Sequence, residues 1–167
     1  MSNAAKKAAY YGMFVALCVL VGWLERLVPL PLPVPGIRLG LANSAVLVLF
    51  YRDGAKAAIT VNAVRIILVN LLFGGISGFV YAALGATLSM CATALLYRRK
   101  FIGMTGVSVI GALLHNVGQL CAACLMTRSA APLTYTPWLA IAAVVTGSAV
   151  GLLAALLVRR LGSRAVK

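Results

Sequence analysis

Acidic side chains are almost missing from this sequence: Glu25 and Asp53 are the only two in 167 residues, and all charged residues together make up 10%. Chemistry that gathers several carboxylates around magnesium and a diphosphate has too few ligands here. A GxxxxGK[ST] phosphate loop is absent as well, so ATP is not this chain's own fuel. Histidine occurs once, as His115, with no second imidazole and no carboxylate beside it, which speaks against a zinc-type site. The four cysteines (Cys18, Cys91, Cys121 and Cys124) lie inside apolar runs, not loops, and form no disulfide framework. Cys121 and Cys124 make a C-x-x-C without the further ligands or the thioredoxin-like context that metal or redox use requires. No cofactor and no metal is expected.

What is present in quantity is hydrocarbon. Hydrophobic residues make up 63% of the chain and the mean hydropathy is +1.03. A soluble domain carries about 25% charged residues, so the composition points to an all-α integral membrane protein. Six transmembrane helices are expected, at roughly 8–24, 37–51, 54–73, 76–97, 101–126 and 135–158. They form a single membrane domain over 8–160, between a polar segment at 1–7 and a basic tail at 161–167. The first span is not a signal peptide, because Trp23-Leu24-Glu25-Arg26 follows it in place of a small-residue cleavage site. Residues 27–36 carry four prolines at alternate positions and read as a stiff extended connector. The span at 37–51 is short for a bilayer.

The bases fix an orientation. With the amino terminus in the cytoplasm, eleven of the fifteen fall inside: Lys6, Lys7, Arg52, Lys56, Arg98, Arg99, Lys100, Arg159, Arg160, Arg164 and Lys167. Three (Arg26, Arg38 and Arg128) fall outside, and Arg65 lies within the membrane. By the positive-inside rule both termini are cytoplasmic. The net charge of +13 therefore reports topology and contact with anionic membrane lipid, and no nucleic-acid partner is expected.

Arg65 stands near the middle of the apolar run 54–73, where a guanidinium costs at least about 2.5–3.5 kcal/mol and is normally paired or lining a wet cavity. Asn62 and Asn70 share its span, Asn43 lies on the span before, and His115, Asn116 and Gln119 share one face of the fifth. The topology puts these groups at similar depth in the outer half of the membrane. In lipid each needs a partner, so they are expected to converge. Amides donate and accept, and a guanidinium fork suits a carboxylate or phosphate. An outward-opening pocket for a small polar or anionic solute, bound by Asn43, Asn62, Arg65, Asn70, His115, Asn116 and Gln119, is one outcome. A self-satisfied interhelical network, with Arg65 as a structural lock, is the other. On the first span Ala8, Gly12 and Ala16 recur every four residues as a smooth strip where a partner helix could approach closely.

PGIRLGLANSAVLVLFYRDG (35–54), NAVRIILVNLLFGGISG (62–78) and HNVGQL (115–120) together resemble the small bacterial membrane proteins called Gx transporters, also labelled component I of heptaprenyl diphosphate synthase. The resemblance covers about residues 8–160. That family is similar in architecture to the substrate-binding S components of energy-coupling-factor transporters. It therefore implies a six-helix, S-component-like bundle in the bacterial plasma membrane, with Ala8, Gly12 and Ala16 as the contact strip for a transmembrane coupling subunit carrying ATPases. It names no solute.

The sequence thus supports a membrane-embedded solute-binding subunit, not an enzyme, for uptake of a small polar or anionic micronutrient powered by a separate ATPase module. The alternative is a non-catalytic membrane accessory in polyprenyl (heptaprenyl) diphosphate synthesis. Prenyl transfer itself needs clustered aspartates to hold magnesium, and two carboxylates on opposite membrane sides cannot supply them. A channel or ion-coupled carrier acting alone would be expected to show acidic residues inside its spans, and none is present.

Overall fold

The computed structural model describes residues 2–27, 40–99 and 101–161, apart from the side chain of Arg26. Most of the proline connector, Arg38, Lys100 and the basic tail beyond Leu161 lie outside the described residues. Those residues form six α-helices and no strand: α1 (Asn3–Leu27), α2 (Leu41–Arg52), α3 (Ala55–Val69), α4 (Gly75–Leu96), α5 (Met104–Thr127) and α6 (Thr136–Leu161). A five-residue π turn, Asn70–Gly74, follows α3, and a 3-10 turn, Ala131–Tyr135, precedes α6. All-helical structure is the expected answer to a lipid solvent, because each helix satisfies its own backbone.

The outside of the bundle is apolar as well as its core, which holds Val46, Leu49, Phe50 and Val107. Met13, Leu71, Ile76, Leu95 and Leu125 are more than half exposed, while Asn62, Asn70, Ser89, Thr93 and Ser108 are buried. An apolar exterior, with the polar groups that do occur drawn into the bundle, is the distribution a bilayer imposes. Four helical stretches are long and apolar enough to cross one: Asn3–Glu25, Ala55–Leu96, Met104–Thr127 and Ala131–Leu161.

The second of these is 42 residues long, which as a straight rod would reach about 63 Å, twice a hydrocarbon core. It is not one rod. Gly75 sits at φ +63°, ψ −172°, far from helical values, and divides α3 from α4. Residues with a Cβ avoid this region, so glycine is required at the break. Asn70 buttresses the same place: its Nδ2 donates to the Ile66 carbonyl at 2.8 Å. The amide fills a notch between Gly74 and Gly78, and a Cβ on either glycine would run into Asn70 Oδ1.

The most deeply buried helix is α2, packed between α1, α3 and α6. Seven consecutive residues, Ser44 to Phe50, are buried, and a helix apolar on all sides is one enclosed on all sides. At 12 residues it is about 18 Å long, short of the bilayer core. Helix α1 holds it at both ends. Near one end the Leu41 N–H donates to Glu25 Oε1, placing a carboxylate at the positive end of the helix. Past the other end Tyr10 Oη donates to Asp53 Oδ2 at 3.1 Å. Between them Cys18 Sγ donates to the Ala42 carbonyl at 3.6 Å. Both of the chain's carboxylates thus serve to fasten α1 to α2. Replacing Glu25→Ala is expected to cost about 0.5–2 kcal/mol, as loss of a helix cap does. Reversible unfolding in detergent would read it, with Tyr10→Phe losing about 0.5–1.5 kcal/mol at the opposite end.

Helices α4, α5 and α6 pack side by side as a second unit, and α2 bridges to it by lying against α6. Glycine makes this possible. A Cβ on Gly118 of α5 would lie 2.5 Å from the Leu84 carbonyl oxygen and 2.7 Å from Gly85 Cα on α4. Equivalent positions on Gly147 and Gly151 of α6 would lie 2.8 Å from Val109 Cα and 2.6 Å from Thr105 Cα on α5. Small residues four apart let membrane helices touch backbone to backbone. By contrast α3 and α4 meet only sparingly.

Candidate functional site

Five helices close around a hollow of about 120 Å³, room for about four water molecules. Each helix contributes polar groups to its wall: Asn43 from α2, Asn62 and Arg65 from α3, Ser89 and Thr93 from α4, Ser108, His115 and Asn116 from α5, and Thr146 from α6. Asn62 and Arg65 are three residues apart and so share a helix face. Arg65 Nη1 donates to Asn43 Oδ1 at 2.8 Å and reaches Asn62 Oδ1 at 3.4 Å. The guanidinium is thereby aimed by one amide from its own helix and one from the enclosed helix. Arg65 carries the one formal charge among these lining residues.

On the α4–α5 side His115 lies against Gly85, where a Cβ would come within 2.9 Å of the imidazole Cε1. The ring fits because position 85 has no side chain. Asn116 reaches across to α6, its Nδ2 donating to the Leu139 carbonyl at 2.8 Å. A Cβ on Gly111 would lie 3.1 Å from Thr93 Oγ1 and 3.3 Å from Ser89 Oγ, so this glycine leaves the hydroxyls their space.

Of the seven polar residues singled out in the sequence, Asn43, Asn62, Arg65, His115 and Asn116 line this one cavity. Asn70 sits in the π turn, bonded to its own helix, and neither it nor Gln119 is among the lining residues. Ala8, Gly12 and Ala16 are all exposed on α1, with nothing within 4 Å of a Cβ on Gly12. The wall residues the sequence did not reveal are the hydroxyls Ser89, Thr93, Ser108 and Thr146. Serine and threonine are ordinary in membrane helices because they can bond back to a carbonyl four residues earlier, as Thr146 does to Ala142 at 2.8 Å. Nothing in such residues marks out those that face a cavity.

Neither Glu25 nor Asp53 lines the hollow, and among the described residues no group of three His, Cys, Asp or Glu side chains is placed to hold a metal ion. Fold and cavity together define a helical membrane protein with an open hollow whose mixed wall carries amides, hydroxyls and one guanidinium. Within that class the chain belongs to the heptaprenyl diphosphate synthase component I family, whose description matches residues 14–157. No curated protein and no solved structure gives a significant match.

Proposed function

We propose that this chain is a non-catalytic membrane component that holds a small polar or anionic group beside Arg65. The observation that carries this reading is the oriented guanidinium: Asn43 and Asn62 direct it at a hollow wide enough for a phosphate- or carboxylate-sized guest. Amides and hydroxyls around it can bond such a group from several sides. The six helices are read as six spans with both termini in the cytoplasm of a bacterial cell. The break at Gly75 and the distribution of bases support this topology.

The family description favours a role in polyprenyl diphosphate synthesis, in which the bound group is a diphosphate and a partner component performs the chemistry. The carboxylates needed for magnesium would then belong to that partner, since both in this chain are engaged at the ends of α2. A second reading, uptake of a free micronutrient anion through an ATPase-driven coupling subunit, is favoured by the exposed small-residue face of α1.

Thermal unfolding of the purified protein with inorganic diphosphate and with a panel of small carboxylates tests the shared premise. A concentration-dependent rise in Tm is expected for at least one anion, and no rise with any of them would overturn the proposal. Co-expression with a soluble prenyl synthase separates the readings. Altered product length or synthase capture on membranes supports the first; ATP-dependent uptake with co-purified ATPases supports the second.

A further inference from the structure

A second hollow, about 220 Å³, lies between α3 and α4, where these helices pack sparsely. Its walls are mostly apolar, formed by Ile59, Ala63 and Ile67 on α3 and by Phe79 and Ala83 on α4. It opens towards the lipid: Ile59 is 41% exposed, Ile67 54% and Phe79 42%. Along α4 it extends from Phe79 to Met90, about 16 Å of helix. The crevice adjoins the Arg65 cavity, and Asn62, Ile66, Ala86 and Met90 line both. That boundary includes one small residue and one unbranched, adaptable methionine.

We propose that the ligand is a single-chain amphiphile, with its anionic head beside Arg65 and its hydrocarbon tail in the α3–α4 crevice. The proposal rests on the reading of the Arg65 cavity as an anion site, and it adds the ligand's class and its lateral route from the membrane. Charge complementarity places the head, because the lining of the inner hollow carries a positive charge and the crevice carries none. Size limits the slot to one chain: 220 Å³ holds about seven water-sized groups, so a head drawn in beside Arg65 brings a single tail into the crevice. A soluble micronutrient would have no use for an apolar slot open to lipid. The sparse α3–α4 contact follows from the same requirement, since a tightly packed pair would shut the route.

The test uses a fluorescent reporter in the crevice and quenchers on the chain. Phe79→Trp is introduced with Trp23→Phe and Trp138→Phe into the full chain, in nanodiscs of unbrominated lipid. A bromine-labelled n-alkyl phosphate is compared with the brominated alcohol of equal chain length, at matched mole fraction in the bilayer. The alcohol reports ordinary lipid contact at position 79. The phosphate is expected to quench at least two-fold more at low mole fraction, and Arg65→Gln should abolish the excess. Should Phe79→Trp fail to fold, Ile67→Trp places the indole on the facing wall. Equal quenching by phosphate and alcohol would overturn the lateral route, even where inorganic diphosphate still raises Tm and the anion site stands. Equal excess quenching by a brominated two-chain phosphatidylglycerol would overturn the single-chain assignment. If inorganic anions raise no Tm and the phosphate shows no excess, the anion site itself fails together with this proposal.

Discussion

Arg65→Ala is expected to remove ligand-induced stabilisation altogether. At a ligand concentration one hundred times Kd, binding contributes about 2.7 kcal/mol to the wild-type protein, equivalent to about 5–11 °C in Tm for a chain of this size. The variant should show a shift near zero. Arg65→Lys keeps the charge but loses the planar fork that reaches Asn43 and Asn62, so a reduced shift is expected. The variants also separate two roles for the guanidinium. A residue that only braced α2 against α3 would lower the Tm of the ligand-free protein and leave the ligand-induced shift intact. An unchanged shift in Arg65→Ala would therefore remove this residue from the site.

Gly118→Ala is expected to be among the most damaging single-methyl additions in the protein. The new carbon would lie 2.5 Å from the Leu84 carbonyl oxygen and 2.8 Å from the Gly85 nitrogen, both backbone atoms unable to swing aside. Overpacking of this kind costs about 1–3 kcal/mol, and Gly118→Leu should prevent α4 and α5 from docking at all. Gly12→Ala is the matched control, because a Cβ there meets nothing within 4 Å. Its stability should hold or rise by up to about 1 kcal/mol, the helix-propensity gain of alanine over glycine. Parallel unfolding of the two variants in one detergent measures the contrast.

The parts of this molecule that were legible in the sequence are those where lipid penalises a residue type. A mid-span arginine is conspicuous because it is costly, and it directed attention to Asn62 on its own face and to Asn43 on the span before. His115 and Asn116 stand out for the same reason. Asn70 is equally conspicuous, yet its amide turns back to Ile66 and fills the Gly74–Gly78 notch; spacing on a helix does not say which polar residue stabilises a π turn. The hydroxyls at 89, 93, 108 and 146 gave no signal, since serine and threonine are able to bond back to their own helix, as Thr146 does, and so are ordinary in membrane spans. The central place of α2 was also hidden. Its sequence reads as a marginal span, and enclosure by neighbours is a property of packing that no window of residues reports. Nor could the sequence tell that α3 and α4, consecutive in the chain, would stand apart while α4, α5 and α6 close up through their glycines.

The fastening of α2 at each end has a consequence for biogenesis. A rod of about 18 Å carries too little hydrocarbon to partition stably into the bilayer unaided. Its two tethers both come from α1, which precedes α2 in the chain. The pair is therefore expected to insert as one antiparallel hairpin, held by the Tyr10–Asp53 and Glu25–Leu41 contacts. A truncated chain lacking the first helix should leave residues 41–52 stranded at the membrane surface, and the bundle that forms around them would have no axis on which to assemble.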